Sequence, residues 1–504
     1  IHSSFGVMSA IRPSLCFPSS FVLPVFIVLL WVTTSPTTVT VAGKNTSANG
    51  VINVKNKFSG RRQPLDVLKA HDSRRQLRFF PGVDIPLGGT GRPDAVGLYF
   101  AKIGIGTPSR DYYVQVDTGS DIIWVNCVQC TECPTKGSFG IELTLYDVKE
   151  SLTGNLVSCA EDICSVINGG PVPDCTASKT CPYSEMYGDG SFTTGYLVQD
   201  VVQYDRVSGD LETISGNESI IFGCGARQSG NVDSSDEALD GILGFGNSNS
   251  SMISQLASSG KVKKTFAHCL DSINGGGIFA IGHVVLPKVD TTPLVRNQPN
   301  YSVNMTAIEV GGHFLNLTTN IFEAGKNKGT IIDSGTTLAY LPEVVYEPLV
   351  KKIISHQSDL NVQTIHDQYT CFEYSESVDD GFPLVTFHFE NSLSLKVHPH
   401  EYLFSIDDLW CIGWQNNGLQ SRNLKDMTLL GDLVLSNKLV IYDLENQVMG
   451  WTEYNCSASI EIKDEQTGAV HMVGYHYISC GRSMIAPSMV IFWYLAALLY
   501  SQSQ

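Results

Sequence analysis

The sequence predicts an all-β protein built from two similar lobes that face each other, on three observations. From Tyr99 to about Cys456 the chain is a succession of short alternating runs broken by Gly, Asn, Asp and Ser, which reads as short strands joined by turns. The run Val114–Ser120 (VQVDTGS) is echoed by Thr330–Thr336 (TIIDSGT). Each echo is followed downstream by an apolar-apolar-Gly element, Gly241–Gly244 (GILG) and Thr428–Gly431 (TLLG). A lone Asp-Thr-Gly would be an ordinary turn, since Asp and Gly are turn residues. A duplicated pair of elements in the same order implies two related lobes.

The strand pattern is clearest in YFAKIGIG from Tyr99, YYVQVDTG from Tyr112, YLVQDVVQYD from Tyr196 and PLVTFHFE over Pro383–Glu390. Convincing helical periods are few, and Leu341–Ser355 is the best candidate. The chain has 504 residues, 43% hydrophobic and 16% charged, a globular composition with room for more than one core. Its 50 acidic residues against 33 basic leave a net charge of -17. That balance argues against nucleic acid as a partner, because phosphate binding needs a basic face. It suits mildly acidic surroundings.

Both ends read as segments outside the fold. Arg12 precedes the apolar run Phe21–Val32, and small residues follow up to Val41-Ala42. With Met8 as the start, residues 1–42 are expected to be leader and secretory signal peptide, an uncleaved signal anchor being the competing reading. At the other end, Ser479-Cys480-Gly481 is followed by a short spacer and the apolar run Met489–Tyr500. This matches a signal for GPI attachment, with Ser479 as the attachment residue and 480–504 removed. A short tail anchor and a buried terminal helix are the alternatives. Removing Cys16 and Cys480 from 14 cysteines leaves an even number for disulfides in a secreted protein.

Lys44–Arg92 carries ten Lys/Arg and three Asp/Glu ahead of a strongly acidic remainder. Residues 43–93 are therefore expected to be either a propeptide held by charge or a solvated linker. The expected lobes are 94–289 and 290–458, with 459–479 as a surface stalk. Sequons place candidate glycosylation at Asn217, Asn249, Asn304 and Asn316, with Asn455 doubtful and Asn45 in the propeptide.

The ordered set VDTGSD (Val116–Asp121) with Trp124, YGDGS (Tyr187–Ser191), TTGYLVQD (Thr193–Asp200), FGCG (Phe222–Gly225), DGILGFG (Asp240–Gly246), IIDSGTT (Ile331–Thr337) and LLGD (Leu429–Asp432) resembles the pepsin-type aspartic endopeptidases. It is most similar to the plant nepenthesin-like group and its GPI-anchored members. The resemblance covers Gly97 to Cys456. It implies a bilobal pepsin-like acid protease fold of two pseudo-twofold related β-barrel lobes with a flap hairpin. Asp117 and Asp333 would be the catalytic pair, sharing one proton as aspartic proteases do. One activates a water and the other protonates the scissile carbonyl oxygen, with no metal, covalent nucleophile or cofactor. Gly119 and Gly335 would let the backbone pass close by.

The resemblance also implies supporting roles. Thr118 and Ser334 would lock the loops, and Ser120 and Thr336 would bond the outer carboxylate oxygens. Tyr187 and Gly188 belong to the flap, with the Tyr187 hydroxyl bonding toward Trp124. Cys127-x-x-Cys130-x-x-Cys133 could be misread as a zinc site, but thiols in a secreted chain are oxidised. Nepenthesin-type pairing carried over in order would be Cys127–Cys130, Cys133–Cys224, Cys159–Cys181, Cys164–Cys175, Cys269–Cys456 and Cys371–Cys411. The expected function is cleavage of extended polypeptides at acidic pH by a monomer on the outer leaflet of the plasma membrane, or secreted from it. The alternative is a catalytically silent binding protein or enzyme inhibitor on the same fold.

Overall fold

The computed structural model describes residues 82–478 apart from short stretches at 94–96, 135–136, 138–141, 231–238, 319–320, 323–328, 367, 418–424 and 466. The predicted signal peptide, most of the basic segment, Ser479 and the apolar tail lie outside the described residues.

The fold is mostly β and bilobal, as expected. In the first lobe, strand Leu98–Ile105 pairs antiparallel with Arg110–Asp117. Tyr112, Val114 and Val116 of the latter alternate into the core. A long hairpin, Phe192–Gly209 with Glu212–Ser229, wraps this lobe. In the second lobe, Met305–Val310, Val385–Phe389 and Ser394–Val397 form an antiparallel sheet. The predicted helix is Glu343–Ile354, with Val345, Leu349, Val350 and Ile353 buried against that lobe. Pro342 stands at its N-cap, which suits a ring that cannot continue a preceding helix hydrogen bond.

The repeat seen in sequence is a repeat of topology. Val114–Asp117 lies parallel to Gly241–Gly244, which also pairs antiparallel with Trp124–Val125. In the second lobe Gly329–Ile332 lies parallel to Met427–Leu430, which pairs antiparallel with Ala339–Tyr340. Each apolar-apolar-Gly strand therefore threads behind one Asp-bearing strand. The lobes meet through strands Thr265–Leu270, Gly277–Ile281, Lys438–Asp443 and Val448–Glu453, which lie edge to edge. Phe266 stacks on Tyr442 at 4.3 Å in this seam.

Three expectations are corrected. The folded domain begins before residue 94: Val83-Asp84 pairs with Arg206-Asp205 and with Ile281-Ala280, and Leu87–Thr90 pairs with Leu98–Ala101. Val83, Ile85 and Leu87 are buried, so residues 83–90 of the expected propeptide belong to the folded domain. Residues 459–478 are not a stalk. Ile460–Lys463 pairs with Val470–Val473 and with His283–Leu286, and Ile460, Ile462 and Val473 are buried. The chain then runs on beside the N-terminal strand, where Ile478 N donates to Leu87 O and His476 meets Asp84 at 2.8 Å.

The third correction concerns the disulfides. Cys269–Cys456 and Cys371–Cys411 pair as expected, but the other four bridges are Cys127–Cys224, Cys130–Cys133, Cys159–Cys175 and Cys164–Cys181. Strand register is the reason for the first. Trp124–Asn126 runs parallel to Gly223–Gly225, which puts Cys127 beside Cys224 with Cα atoms 5.5 Å apart. A turn in which Cys130 N donates to Cys127 O then leaves Cys130 free to meet Cys133. Cys164, on the short helix Asp162–Ile167, packs with Cys181 in the apolar cluster under the flap. That leaves Cys175 for Cys159. All 12 described cysteines are thus bridged.

Candidate active site

Asp117 ends its strand and Asp333 directly follows the corresponding strand Gly329–Ile332 of the other lobe, and the topology brings both to the seam. They are 5% and 8% exposed. Their loops are built alike. Asp117 Oδ1 accepts from Gly119 N (2.8 Å) and Ser120 N (3.1 Å), and its Oδ2 accepts from the Ser120 hydroxyl. Asp333 Oδ1 accepts from Gly335 N (2.8 Å), and its Oδ2 from Thr336 Oγ1 (2.7 Å).

The glycines have a sharper role than backbone freedom. A Cβ on Gly119 would collide with the Asp333 carboxylate, and a Cβ on Gly335 with the Asp117 carboxylate. The two loops can approach only because neither carries a side chain there. Thr118 and Ser334 tie the loops across the seam. Ser334 N donates to Thr118 Oγ1 (2.9 Å), Ser334 Oγ to Val116 O (3.3 Å), and Thr118 Oγ1 to Ile332 O (3.5 Å).

Burial pushes the proton affinity of both carboxyls up, and for Asp117 the charge of Asp333 adds to it. Hydrogen bonds from Thr336 and Gly335, and from Asp117 itself, pull Asp333 partly back. Two carboxyls this close ionise one after the other, so the pair holds a single proton over a wide pH range.

Over them lies the flap. Pro182–Met186 pairs with Phe192–Tyr196, and Tyr187 N donates to Ser191 O to close the turn. Positive φ falls at Gly190, not at Gly188. Gly188 is exposed in the turn. The Tyr187 hydroxyl accepts from Trp124 Nε1 at 2.6 Å, and Trp124 is 2% exposed. Burial and the nearby Asp117 keep the Tyr187 hydroxyl protonated far above neutral pH.

Sequence reasoning assigned no role to two further residues at the site. Asp432 is fully buried, and its proton affinity is raised first by burial and then by the charges of Asp333 and Asp117. Behind the pair, its carboxyl therefore favours the protonated form more than an ordinary aspartate does. Its place right after the LLG element was visible in sequence, but its burial was not. Glu185, in the flap strand, is the other. Among the sequons, Asn217, Asn249 and Asn316 are exposed. Asn304 is half-buried and spends its Nδ2 on Glu390 Oε1 at 2.9 Å. Cys127, Cys130 and Cys133 are consumed in disulfides, which leaves no thiolate set for zinc.

Comparison with known proteins agrees with this geometry. The family described as xylanase inhibitor N-terminal matches residues 99–283, and its C-terminal counterpart matches 300–453. The chain is 47% identical to Aspartic proteinase 36 of Arabidopsis thaliana, over 88% of this chain and 92% of that one. It is 46% identical to Aspartic proteinase 39 of the same plant, over 86% and 90%. Aspartic proteinase nepenthesin-1 of Nepenthes gracilis is 26% identical over 72% and 79%. Among solved structures, conglutin gamma, a basic 7S globulin from lupine seeds, superposes with a TM-score of 0.59 at 20% identity, covering 74% of this chain and 95% of that one. The last likeness shows the fold alone. By its relatives and its paired Asp loops, the chain belongs to the pepsin-type aspartic proteases of plants, in the nepenthesin-like group.

Proposed function

We propose that this chain is an active aspartic endopeptidase that cuts extended polypeptides at acidic pH. The observation that carries the reading is the intact pair: Asp117 and Asp333, each held by its own Gly and hydroxyl donors, buried at the seam under a closed flap turn. The ionised member takes a proton from a water as it attacks the peptide carbon. The protonated member gives its proton to the carbonyl oxygen, and the roles reverse as the tetrahedral intermediate collapses. A hairpin flap over a cleft between β-lobes favours a substrate in extended form.

A silent binding protein on this fold would have no need of both carboxylates with their full donor sets. The test is hydrolysis of denatured globin from pH 2.5 to 7 by protein ending at Ile478, beside Asp117→Asn. Acid-dependent cleavage by the parent alone, blocked by pepstatin, supports the reading. A folded parent that cuts nothing would overturn it in favour of binding.

We also place the chain in the secretory pathway and at the cell surface, with a GPI anchor at Ser479 and glycans at Asn217, Asn249 and Asn316. The signal-like run, the small triplet before the apolar tail and the exposed sequons support this. The fold includes Gly82 and reaches Ile478, which favours a propeptide cut before Gly82 and an anchor at Ser479 directly after the domain. Release of the protein from intact cells by phosphatidylinositol-specific phospholipase C tests the anchor.

A further inference from the structure

Pro182–Met186 alternates as a strand must. Tyr183 is buried, Ser184 exposed, Glu185 half-buried, and Met186 exposed at 74%. Tyr183, Glu185 and Tyr187 thus share the underside of the flap. Tyr183 is anchored there by its hydroxyl contact with Thr193 (2.9 Å) and packs in the cluster that holds Ile122 and Trp124. Tyr187 is anchored by Trp124. Between these fixed rings the Glu185 carboxyl makes no hydrogen bond or ion pair to any described residue. Its oxygens are not among the fully buried polar atoms, so the carboxyl still reaches solvent and stays open to an incoming group.

The ionisable groups facing it are few. Asp121 approaches from the loop that carries Asp117, one residue beyond Ser120. It is already occupied, because its Oδ1 accepts from Ser248 N at 2.8 Å. Tyr183 and Tyr187 lie on the same strand face, and both are protonated. Thr193, opposite Glu185 in the hairpin, carries no charge. No cation answers Glu185 among the described residues.

We propose that Glu185 is a specificity-determining residue, whose carboxyl under the flap receives a lysine or arginine side chain of the substrate beside the scissile bond. This rests on the endopeptidase reading. Burial, and then the charge of Asp121, push the Glu185 proton affinity up to about 7. In strong acid the group is neutral and ignores charge. As pH rises toward 7 it ionises, more readily with a cation bound, so the preference for a basic side chain grows with pH.

The experiment measures binding, so it does not depend on turnover. Asp117→Asn protein is titrated with a set of peptides carrying Lys or norleucine at each position flanking the bond, at pH 4 and pH 7. At one position Lys should bind about tenfold more tightly than norleucine at pH 7 and about equally at pH 4. Glu185→Gln on the same background should erase the difference while leaving norleucine binding intact. Equal affinities at pH 7 at every position would overturn the proposal. So would a preference that survives Glu185→Gln, as when Asp121→Asn alone removes it. Cleavage of the norleucine peptides by the parent is followed separately, so a failure of catalysis is told apart from a failure of Glu185.

Discussion

Thr118 offers the most direct test of how the seam positions the catalytic loops. It is fully buried, and its hydroxyl accepts the Ser334 N–H at 2.9 Å from the other lobe. Its own donation to Ile332 O is long, at 3.5 Å, and contributes little. Thr118→Val keeps the shape and removes the hydroxyl. Ser334 N is then a buried donor with no acceptor, which costs about 1–3 kcal/mol. Equilibrium urea unfolding should show that loss. Ser334→Ala removes only the 3.3 Å bond to Val116 O and should cost about 1 kcal/mol. The effect on turnover should exceed the effect on stability, because the same bond aligns the two aspartate loops. A misplacement of reacting groups by about 1 Å costs on the order of a hundredfold. Thr118→Val should therefore lower kcat by about 10- to 100-fold with KM little changed, and Thr118→Ser, which retains the hydroxyl, should restore most of it. A Thr118→Val protein with parental stability and parental kcat would refute the idea that this bond holds the site.

Asp333→Asn should lower kcat by about a hundredfold or more, measured on a quenched peptide across pH, with the fold unchanged by circular dichroism. Gly335→Ala should be as damaging, since its Cβ meets the Asp117 carboxylate, and the same assay checks it. His268 is fully buried, and burial drops its proton affinity to about 3. The unfolded chain takes up a proton there below about pH 6.5 and the folded chain does not, so this residue withdraws stability as pH falls. His268→Phe loses the Nε2 contact with the Tyr442 hydroxyl at every pH, but relative to the parent it should gain about 2–3 kcal/mol between pH 8 and pH 4.5, read by denaturation midpoints. His476 has the opposite sign. The Asp84 carboxylate raises its proton affinity, so its stabilisation is present below about pH 6.5 and fades as pH rises through the folded value. His476→Gln should cost stability at pH 5 and none at pH 8.5. Replacing both Cys269 and Cys456 by Ser opens a bridge with a sequence separation of 187. The loss should be about 5 kcal/mol by loop entropy, seen in the same urea assay.

Local pattern was enough for much of this protein. The alternation around Tyr112–Val116, the doubled Asp-Thr/Ser-Gly loops and the Leu341–Ser355 periodicity announced strands, a pair of matching Asp loops and the helix at Glu343–Ile354. These are short-range properties, since side-chain period and turn residues act over a few positions. What the sequence could not decide depends on which distant segments become neighbours. Parallel register beside Gly223–Gly225, not order along the chain, chose Cys224 for Cys127. Charge made the end of the basic segment look like a propeptide or linker, and position before the tail made 459–479 look like a stalk, yet buried Leu87 and Ile462 stitch both into the first lobe. The environment of an ionisable side chain is also a long-range property. Asp432 and Glu185 read as ordinary acids in sequence, and only the packing of both lobes and the flap around them raises the proton affinity of one and leaves the other without a partner among the described residues.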